Sequence, residues 1–254
     1  MQQQRIAVAP QEWTPWPPND TEESIVGSEF HQRVIDTSRD GVEMAGRSNG
    51  ASWHVLSQVP LSGFRRPDGS PYSMLPDVFV HPKPNPHPAS GEYLTFPELG
   101  VPLLVIEVLS PGTYRWDIDE ERGKAWSYAD AGVRELILVD FNQHYLEEPV
   151  RALRLEEGRW APWRPTAEGR WVSAALGVSF AYDHPYLRVY DAEGQLMPLP
   201  WEAHELLREQ ETRLRGRETQ LLRDQAALQA RLRALLAAGD LAGAQALLAE
   251  QDPA

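Results

Sequence analysis

The sequence predicts an α/β fold, in which a helix, three strands, a second helix and a fourth strand form a core with a mixed sheet. Three observations predict it. Apolar segments of strand length alternate with segments of helical periodicity, turn signals separate short strand-like segments after residue 144, and the composition changes to Ala, Leu, Arg, Glu and Gln after Pro200. We therefore expect a proline-rich arm (1–20), a main domain with added β hairpins (21–200) and a helical tail (201–254).

The composition excludes several classes of protein. Hydrophobic residues make up 42% of the chain and charged residues 24%, which excludes global disorder. The absence of cysteine excludes disulfides, a thiolate nucleophile and cysteine-ligated metal sites. The chain starts without a basic leader and a long apolar segment, and its longest apolar run covers only residues 101–106. We therefore expect a cytoplasmic protein with no membrane partner.

The charge is strongly negative. The chain has 24 Lys and Arg residues against 37 Asp and Glu residues, a net charge of −13, and residues 1–200 alone hold 17 against 28. This balance argues against non-specific coating of nucleic acid. The sequence contains only two lysines, Lys83 and Lys124. A lysine that falls within a chemical motif is therefore a candidate functional residue.

The first predicted elements are a helix and a strand. Residues 21–24 offer a helix cap followed by acids, and apolar residues between 25 and 35 follow a helical stripe. We expect this helix to end before Gly41. Residues 53–59 alternate between apolar and polar, which predicts a strand with one buried face.

The centre of the chain predicts a parallel crossover. Residues 76–80 form a short strand that a proline-rich loop over 81–88 stops, and residues 103–109 are an apolar run of the kind found in central strands. Asp117 begins a helix predicted to run to Ala131, and residues 136–139 form a second buried strand. Strand, helix and strand in this order imply that the two strands are parallel.

The tail has the pattern of a helix with a coiled-coil tendency. Leucines recur every seven residues, at Leu207, Leu214, Leu221, Leu228 and Leu235. The positions three residues later are polar, at Gln210, Arg217, Asp224 and Arg231. We therefore expect a marginal, partner-dependent helix, and a short helical hairpin over residues 234–249.

One acid interrupts the apolar central strand. Burying Glu107 without compensation is costly, so it must meet a cation, a hydrogen-bond donor or a proton. Asp77 opens the preceding strand, and adjacent strands bring side chains together at one sheet edge. Two carboxylates and a backbone carbonyl suit Mg²⁺ or Mn²⁺. The alternative is that Asp77 caps a turn and Glu107 pairs with an arginine.

These motifs resemble a known family. The matching segments are Pro76–Val80, Ile106–Pro111, Lys124, Tyr128, Ala131–Glu135 and Leu138–Asp140, together with His31–Arg33 in the first helix. Their order resembles the PD-(D/E)XK nuclease core of the restriction-endonuclease-like fold and, more narrowly, the Uma2 family (DUF820). The resemblance covers about residues 21–235, including a segment at 186–194 and a helical tail similar to those of some members.

The resemblance implies roles for individual residues. It identifies Asp77 and Glu107 as metal-binding and catalytic acids, the carbonyl of Val108 as the third protein ligand, and Mg²⁺ or Mn²⁺ as the ion. The PD-(D/E)XK motif places a lysine two residues after the glutamate, where this chain has Leu109. Lys124 resembles the lysine that Uma2 sequences carry in the next helix, where it orients or activates water and neutralises phosphate charge.

Each remaining candidate has an alternative structural role. Lys124 is either catalytic or a solvated partner of the acids at 120–121. Tyr128 lies one helical turn further, where its hydroxyl orders the lysine, touches substrate or packs under the sheet. Asp117 caps a helix or joins the metal site, and His31 contacts phosphate or water or is a packing residue.

Two functions follow. The first is a metal-dependent endonuclease that hydrolyses DNA phosphodiester bonds. The alternative is a weak or inactive nuclease-fold protein that binds a partner through its tail, as a homodimer or other homo-oligomer. A glycosidase that uses the same two carboxylates is weaker, because scattered tryptophans do not predict a sugar cleft.

Overall fold

The computed structural model describes residues 29–82, 94–95 and 100–249. The predicted arm (1–20), the predicted helix start (21–24) and most of the predicted loop at 81–88 lie outside these residues. The chain divides into two compact units, one ending at Leu199 and one beginning at Pro200. No helix in the described part of the chain combines the length and the apolar character that a membrane span requires.

The first unit contains three helices and twelve strands in its described residues. In chain order they are α1 (Glu29–Ser48), β1 (His54–Leu56), β2 (Leu61–Arg65), β3 (Pro71–Met74), β4 (Val78–His81), β5 (Leu94–Thr95), β6 (Leu104–Val108), α2 (Tyr114–Asp117), α3 (Lys124–Ala131), β7 (Glu135–Val139), β8 (Val150–Glu156), β9 (Arg159–Pro162), β10 (Trp171–Ser173), β11 (Val178–Asp183) and β12 (Tyr186–Tyr190). The predicted α/β class is confirmed.

A six-stranded mixed sheet organises this unit. Its strand order is β1-β4-β6-β7-β8-β9. Neighbouring strands are antiparallel, except for the pair β6 and β7. These two strands are parallel and are joined through α2 and α3, as the strand–helix–strand pattern predicts. Two three-stranded sheets, β10-β11-β12 and β3-β2-β5, accompany it.

The alternation of side chains along β6 divides the core in two. Leu104, Ile106 and Val108 join one cluster with residues of α1, β11 and β12, whereas Val105 joins a second cluster with residues of β2, β3 and α3. Successive side chains of a strand point to opposite faces. Glu107 therefore points to the same face as Val105, toward α3.

Helix α1 continues past Gly41, so the expected end before that residue is wrong. The helix runs to Ser48, and Gly41 is buried within it. A Cβ atom at Gly41 would lie 2.9 Å from Cγ2 of Val189 in β12, and one at Gly46 would collide with the ring of Trp53. Both glycines let the helix approach its neighbours closely, and this benefit outweighs their poor helix propensity.

The helix expected over 117–131 is two separate segments, which corrects the sequence prediction. Asp117 ends the four-residue helix α2 instead of beginning a helix, and Lys124 is the first residue of α3. A Cβ atom at Gly123 would collide with the backbone carbonyl oxygen of Trp116, so only glycine fits where the chain returns toward α2. Gly132 ends α3 with a φ of 85°.

The second unit is a pair of helices. Helix α4 (Pro200–Ala237) and helix α5 (Leu241–Ala249) are joined through Gly239, whose φ is 77°. A turn and a second helix therefore occur within the predicted range 234–249, and the hairpin arrangement stays a prediction. Within α4 no residue is buried, and Leu207, Leu214 and Leu221 are 59%, 62% and 69% exposed. The coiled-coil tendency stays a prediction.

Packing at Gly41 gives a first testable prediction. We expect Gly41→Ala to destabilise the first unit by about 1–3 kcal/mol, because the new methyl group must displace the buried Val189 side chain. Urea unfolding measures the loss. Gly216→Ala in the exposed helix α4 is the matched control. No atom lies within 4 Å of the new Cβ, so we expect no loss of stability. An unchanged or higher midpoint for Gly41→Ala would contradict the packing argument.

Candidate active site

The strand register brings the two predicted acids together. Val78 of β4 pairs with Ile106 of β6, so Asp77, immediately before β4, lies beside Glu107 and Val108. Oδ2 of Asp77 accepts a hydrogen bond of 2.8 Å from the backbone N–H of Val108. The Asp77 and Glu107 carboxyls are close enough to share a hydrogen bond and to influence each other's pKa.

The carboxylate of Glu107 is held by two residues of α3. Its side chain is 0% exposed, and Oε2 accepts a hydrogen bond of 3.0 Å from Nζ of Lys124. Oε1 accepts a hydrogen bond from the hydroxyl of Tyr128. Lys124 and Tyr128 are four residues apart and therefore lie on one face of the helix. The alternative of an arginine partner for Glu107 is wrong, because its cation is Lys124.

Lys124 lies between two carboxylates. Its Nζ is 2.9 Å from Oδ1 of Asp117, and its side chain is only 6% exposed. The alternative that it is a solvated partner of the acids at 120–121 is therefore wrong, and Glu120 pairs with Arg151 instead. The sequence predicts that Asp117 caps a helix. In the structure it is instead a buried partner of Lys124.

His31 reaches the site from α1. Its Nε2 lies 2.7 Å from the backbone carbonyl oxygen of Val108. A carbonyl oxygen only accepts hydrogen bonds, so Nε2 carries the proton of this pair. The N–H of Val108 donates to Asp77, so both polar backbone atoms of Val108 are fixed. The carbonyl oxygen has two lone pairs and keeps the capacity to accept one more partner.

The site perturbs the pKa values of its acids and of its lysine. Burial raises the pKa of Glu107 to about 8, assisted by the charges of Asp77 and Asp117 and opposed by Lys124 and Tyr128. Burial also raises the pKa of Asp77 to about 6, against the effect of Lys124. Burial alone would lower the pKa of Lys124, but Asp117, Glu107 and Asp77 together raise it above its ordinary value. The ammonium group is therefore permanently charged.

The charges of the site do not balance by themselves. Asp77, Glu107 and Asp117 surround a single ammonium group, that of Lys124, so the fully ionised set carries a net charge of −2. A divalent cation would supply the missing charge. Carboxylate and carbonyl oxygens are the donors that Mg²⁺ and Mn²⁺ prefer, so the residues present fit such an ion.

The protein side chains alone do not enclose a cation. Among the residues that the structure describes, no group of three His, Asp or Glu side chains is arranged to hold a metal ion. An ion at Asp77 and Glu107 would therefore take its remaining ligands from the backbone carbonyl of Val108 and from water. Mg²⁺ characteristically retains several waters in this way.

Sequence reasoning missed the residues that hold α3 in place. The ring of Phe64 contacts that of Tyr128 edge-on, with centroids 5.7 Å apart, and Trp160 donates a hydrogen bond of 2.7 Å to the carbonyl of Ala125. The hydroxyl of Tyr72 donates to Ser127. These contacts join strands distant in sequence to α3, so no local pattern signals them.

The buried carboxyls predict a pH dependence of stability. In the metal-free protein the folded-state pKa of Glu107, about 8, lies above the ordinary value near 4.3 of an unfolded chain. The folded state therefore binds more protons, and stability declines as the pH rises from about 4 to about 8. We expect Glu107→Gln to flatten this decline, measured as the urea midpoint in EDTA across the pH range.

Glu135→Gln is the control for this experiment, because Glu135 is also a buried strand glutamate but is paired with Arg154 and Ser173. It should keep the slope of the wild type. A Glu107→Gln variant with the wild-type slope would show that Glu107 does not retain a proton in the folded state.

Comparisons with known proteins place the fold and the site in context. The model of the Uma2 family, described as "Putative restriction endonuclease", matches residues 53–184, which is more than half of the chain. No curated protein matches the sequence. The chain is similar to a solved structure described as "a putative nuclease belonging to DUF820" from Anabaena variabilis ATCC 29413, with 16% identity over 71% of this chain and 77% of that chain and a TM-score of 0.35.

Proposed function

The chain belongs to the Uma2 family, and from that premise we propose that it is a nuclease that hydrolyses DNA phosphodiester bonds with Mg²⁺ or Mn²⁺ bound at Asp77 and Glu107. The observation that carries the proposal is the cluster of three acids around one buried lysine, at the point where β4 begins and β6 ends. A structural ion-pair network needs no excess of two negative charges, whereas a site for a divalent cation does.

The ligands of the proposed ion are the carboxylates of Asp77 and Glu107 and the backbone carbonyl of Val108. Carboxylate oxygens have more than one acceptor position, so the hydrogen bonds from Val108, Lys124 and Tyr128 leave capacity for a cation. When bound, such an ion lowers the pKa of water and neutralises charge on a phosphate. Both acids have raised pKa values in the metal-free protein, and a bound cation would favour their ionised forms and lower these pKa values.

Lys124 acts as a fixed positive charge in this proposal. Its raised pKa keeps the amine protonated, so it cannot accept a proton from water at neutral pH. Instead it donates hydrogen bonds and stabilises the negative charge that develops on the phosphate during hydrolysis. Tyr128 fixes the other oxygen of Glu107, and His31 fixes the direction of the Val108 carbonyl.

The third prediction is a cleavage assay. We expect the protein to cut supercoiled plasmid or single-stranded DNA in the presence of Mg²⁺ or Mn²⁺ and not in EDTA. Asp77→Asn and Glu107→Gln should each lower the rate at least about 100-fold, because each removes a charged ligand of the ion. Gel electrophoresis of both substrates over a metal titration measures the rate.

Glu135→Gln is the control here too, because it changes a buried glutamate of the neighbouring strand β7 that lies in another ion pair. It should cut at the wild-type rate. Cleavage in EDTA, or equal rates for Glu107→Gln and wild type, would reject the proposed function. Absence of cleavage in every protein together with intact metal binding would instead favour a nuclease fold that binds without hydrolysis.

A further inference from the structure

Asp117 is the second carboxylate partner of Lys124. The lysine Nζ lies 3.0 Å from Oε2 of Glu107 and 2.9 Å from Oδ1 of Asp117, so the ammonium group is held between two carboxylates. The other oxygen of Asp117 accepts a hydrogen bond of 2.7 Å from the Thr113 hydroxyl, which lies 2.9 Å from the hydroxyl of Ser110. Asp117 is thus itself fixed by the segment that follows β6.

The chain between Asp117 and Lys124 is folded into a tight loop. Oδ1 of Asp119 accepts hydrogen bonds of 2.8 Å and 3.0 Å from the backbone N–H groups of Glu121 and Arg122. Gly123 then packs against the carbonyl of Trp116, as described above. The loop therefore returns Lys124 to the end of α2, where Asp117 meets it.

Without its contact to Asp117, the ammonium group of Lys124 has a second position in which it can bind carboxylates. The side chain of Lys is a flexible four-carbon chain ending in a compact charge. Asp77 lies beside Glu107, and both interact electrostatically with the ammonium group of Lys124. A lysine that moved between these two acids would occupy the place of a divalent cation.

We propose that Asp117 is a positioning residue, which holds the Lys124 ammonium on the α3 side of Glu107 and keeps it out of the space between Asp77 and Glu107. In this proposal Asp117 acts on the lysine and not on the ion, and its two oxygens face Lys124 and Thr113. The consequence for catalysis rests on the proposed function, whereas the placement of the lysine does not.

The placement is tested without activity. The chain has only two lysines, so labelling lysine with ¹⁵Nζ gives two ammonium signals in NMR spectra, and Lys83→Arg assigns them. A buried ammonium between two carboxylates exchanges its protons slowly and gives a persistent ¹H–¹⁵N signal. We expect this signal for Lys124 in the wild type, a clear change of its chemical shift in Asp117→Asn as the ammonium group takes a new position, and a smaller change in Thr113→Val.

Asp183→Asn is the matched control, because the Asp183 side chain is 73% exposed and lies outside the site. It should leave the Lys124 signal unchanged. Circular dichroism confirms that each variant folds, and Thr113→Val, which removes one hydroxyl, decides the question if Asp117→Asn does not fold. An unchanged Lys124 signal in the folded variants overturns the proposal.

Kinetics separate a positioning role from a direct one. We expect Asp117→Asn to lower kcat about 10–100-fold with little change in KM, because the defect is in the placement of a charge and not in substrate binding. In a Lys124→Met background the same change should cost nothing further, since residues that act through one another are not additive. A further loss of tenfold or more in that background would show that Asp117 acts directly, and would overturn the proposal.

The two proposals fail in different ways. A wild-type protein that never cleaves DNA, but whose Lys124 signal changes its chemical shift in Asp117→Asn, rejects the nuclease function and keeps the positioning role. Metal-dependent cleavage with an unchanged Lys124 signal in Asp117→Asn rejects the positioning role and keeps the nuclease function.

Discussion

The burial of the Glu107 carboxylate in the central strand is the constraint on which the rest of the site depends. A charge at this position needs partners on the face to which the strand directs it, and β6 directs it toward α3. Lys124 and Tyr128 meet it there from consecutive turns of that helix. The start of α3 is in turn fixed by the loop that Gly123 closes against Trp116.

Electrostatics connects this constraint to function. An ion pair that only stabilises the fold needs one acidic and one basic side chain. Here a single lysine, Lys124, interacts with three carboxylates. Burial, assisted by the charges of the neighbouring acids, raises the pKa values of Asp77 and Glu107, which predicts that the metal-free protein loses stability as the pH rises toward neutral. Under the proposed function a divalent cation would relieve the repulsion among these acids, so binding the ion would also stabilise the fold.

The sequence was informative where a local pattern carries the signal. An apolar run with a single acid is enough to predict a central strand with Glu107 in it. Asp77 stands at the start of the preceding predicted strand, where the sequence left turn capping open as an alternative. Non-local contacts gave no such signal. In the sequence Gly41 predicts the end of a helix. In the structure it lies within the helix, because the side chain of the distant Val189 occupies the space that a larger residue would need. The burial of Lys124 likewise depends on how the chain before it folds back, which residue spacing alone does not reveal.

The most direct test of the account is crystallography of the protein grown or soaked with Mn²⁺, using the anomalous scattering of the metal to locate it. The account predicts one strong peak within coordination distance of the Asp77 and Glu107 carboxylates and the Val108 carbonyl, with Lys124 still bound to Asp117. A peak elsewhere on the chain, or none at saturating Mn²⁺ with these carboxylates ordered, would contradict it.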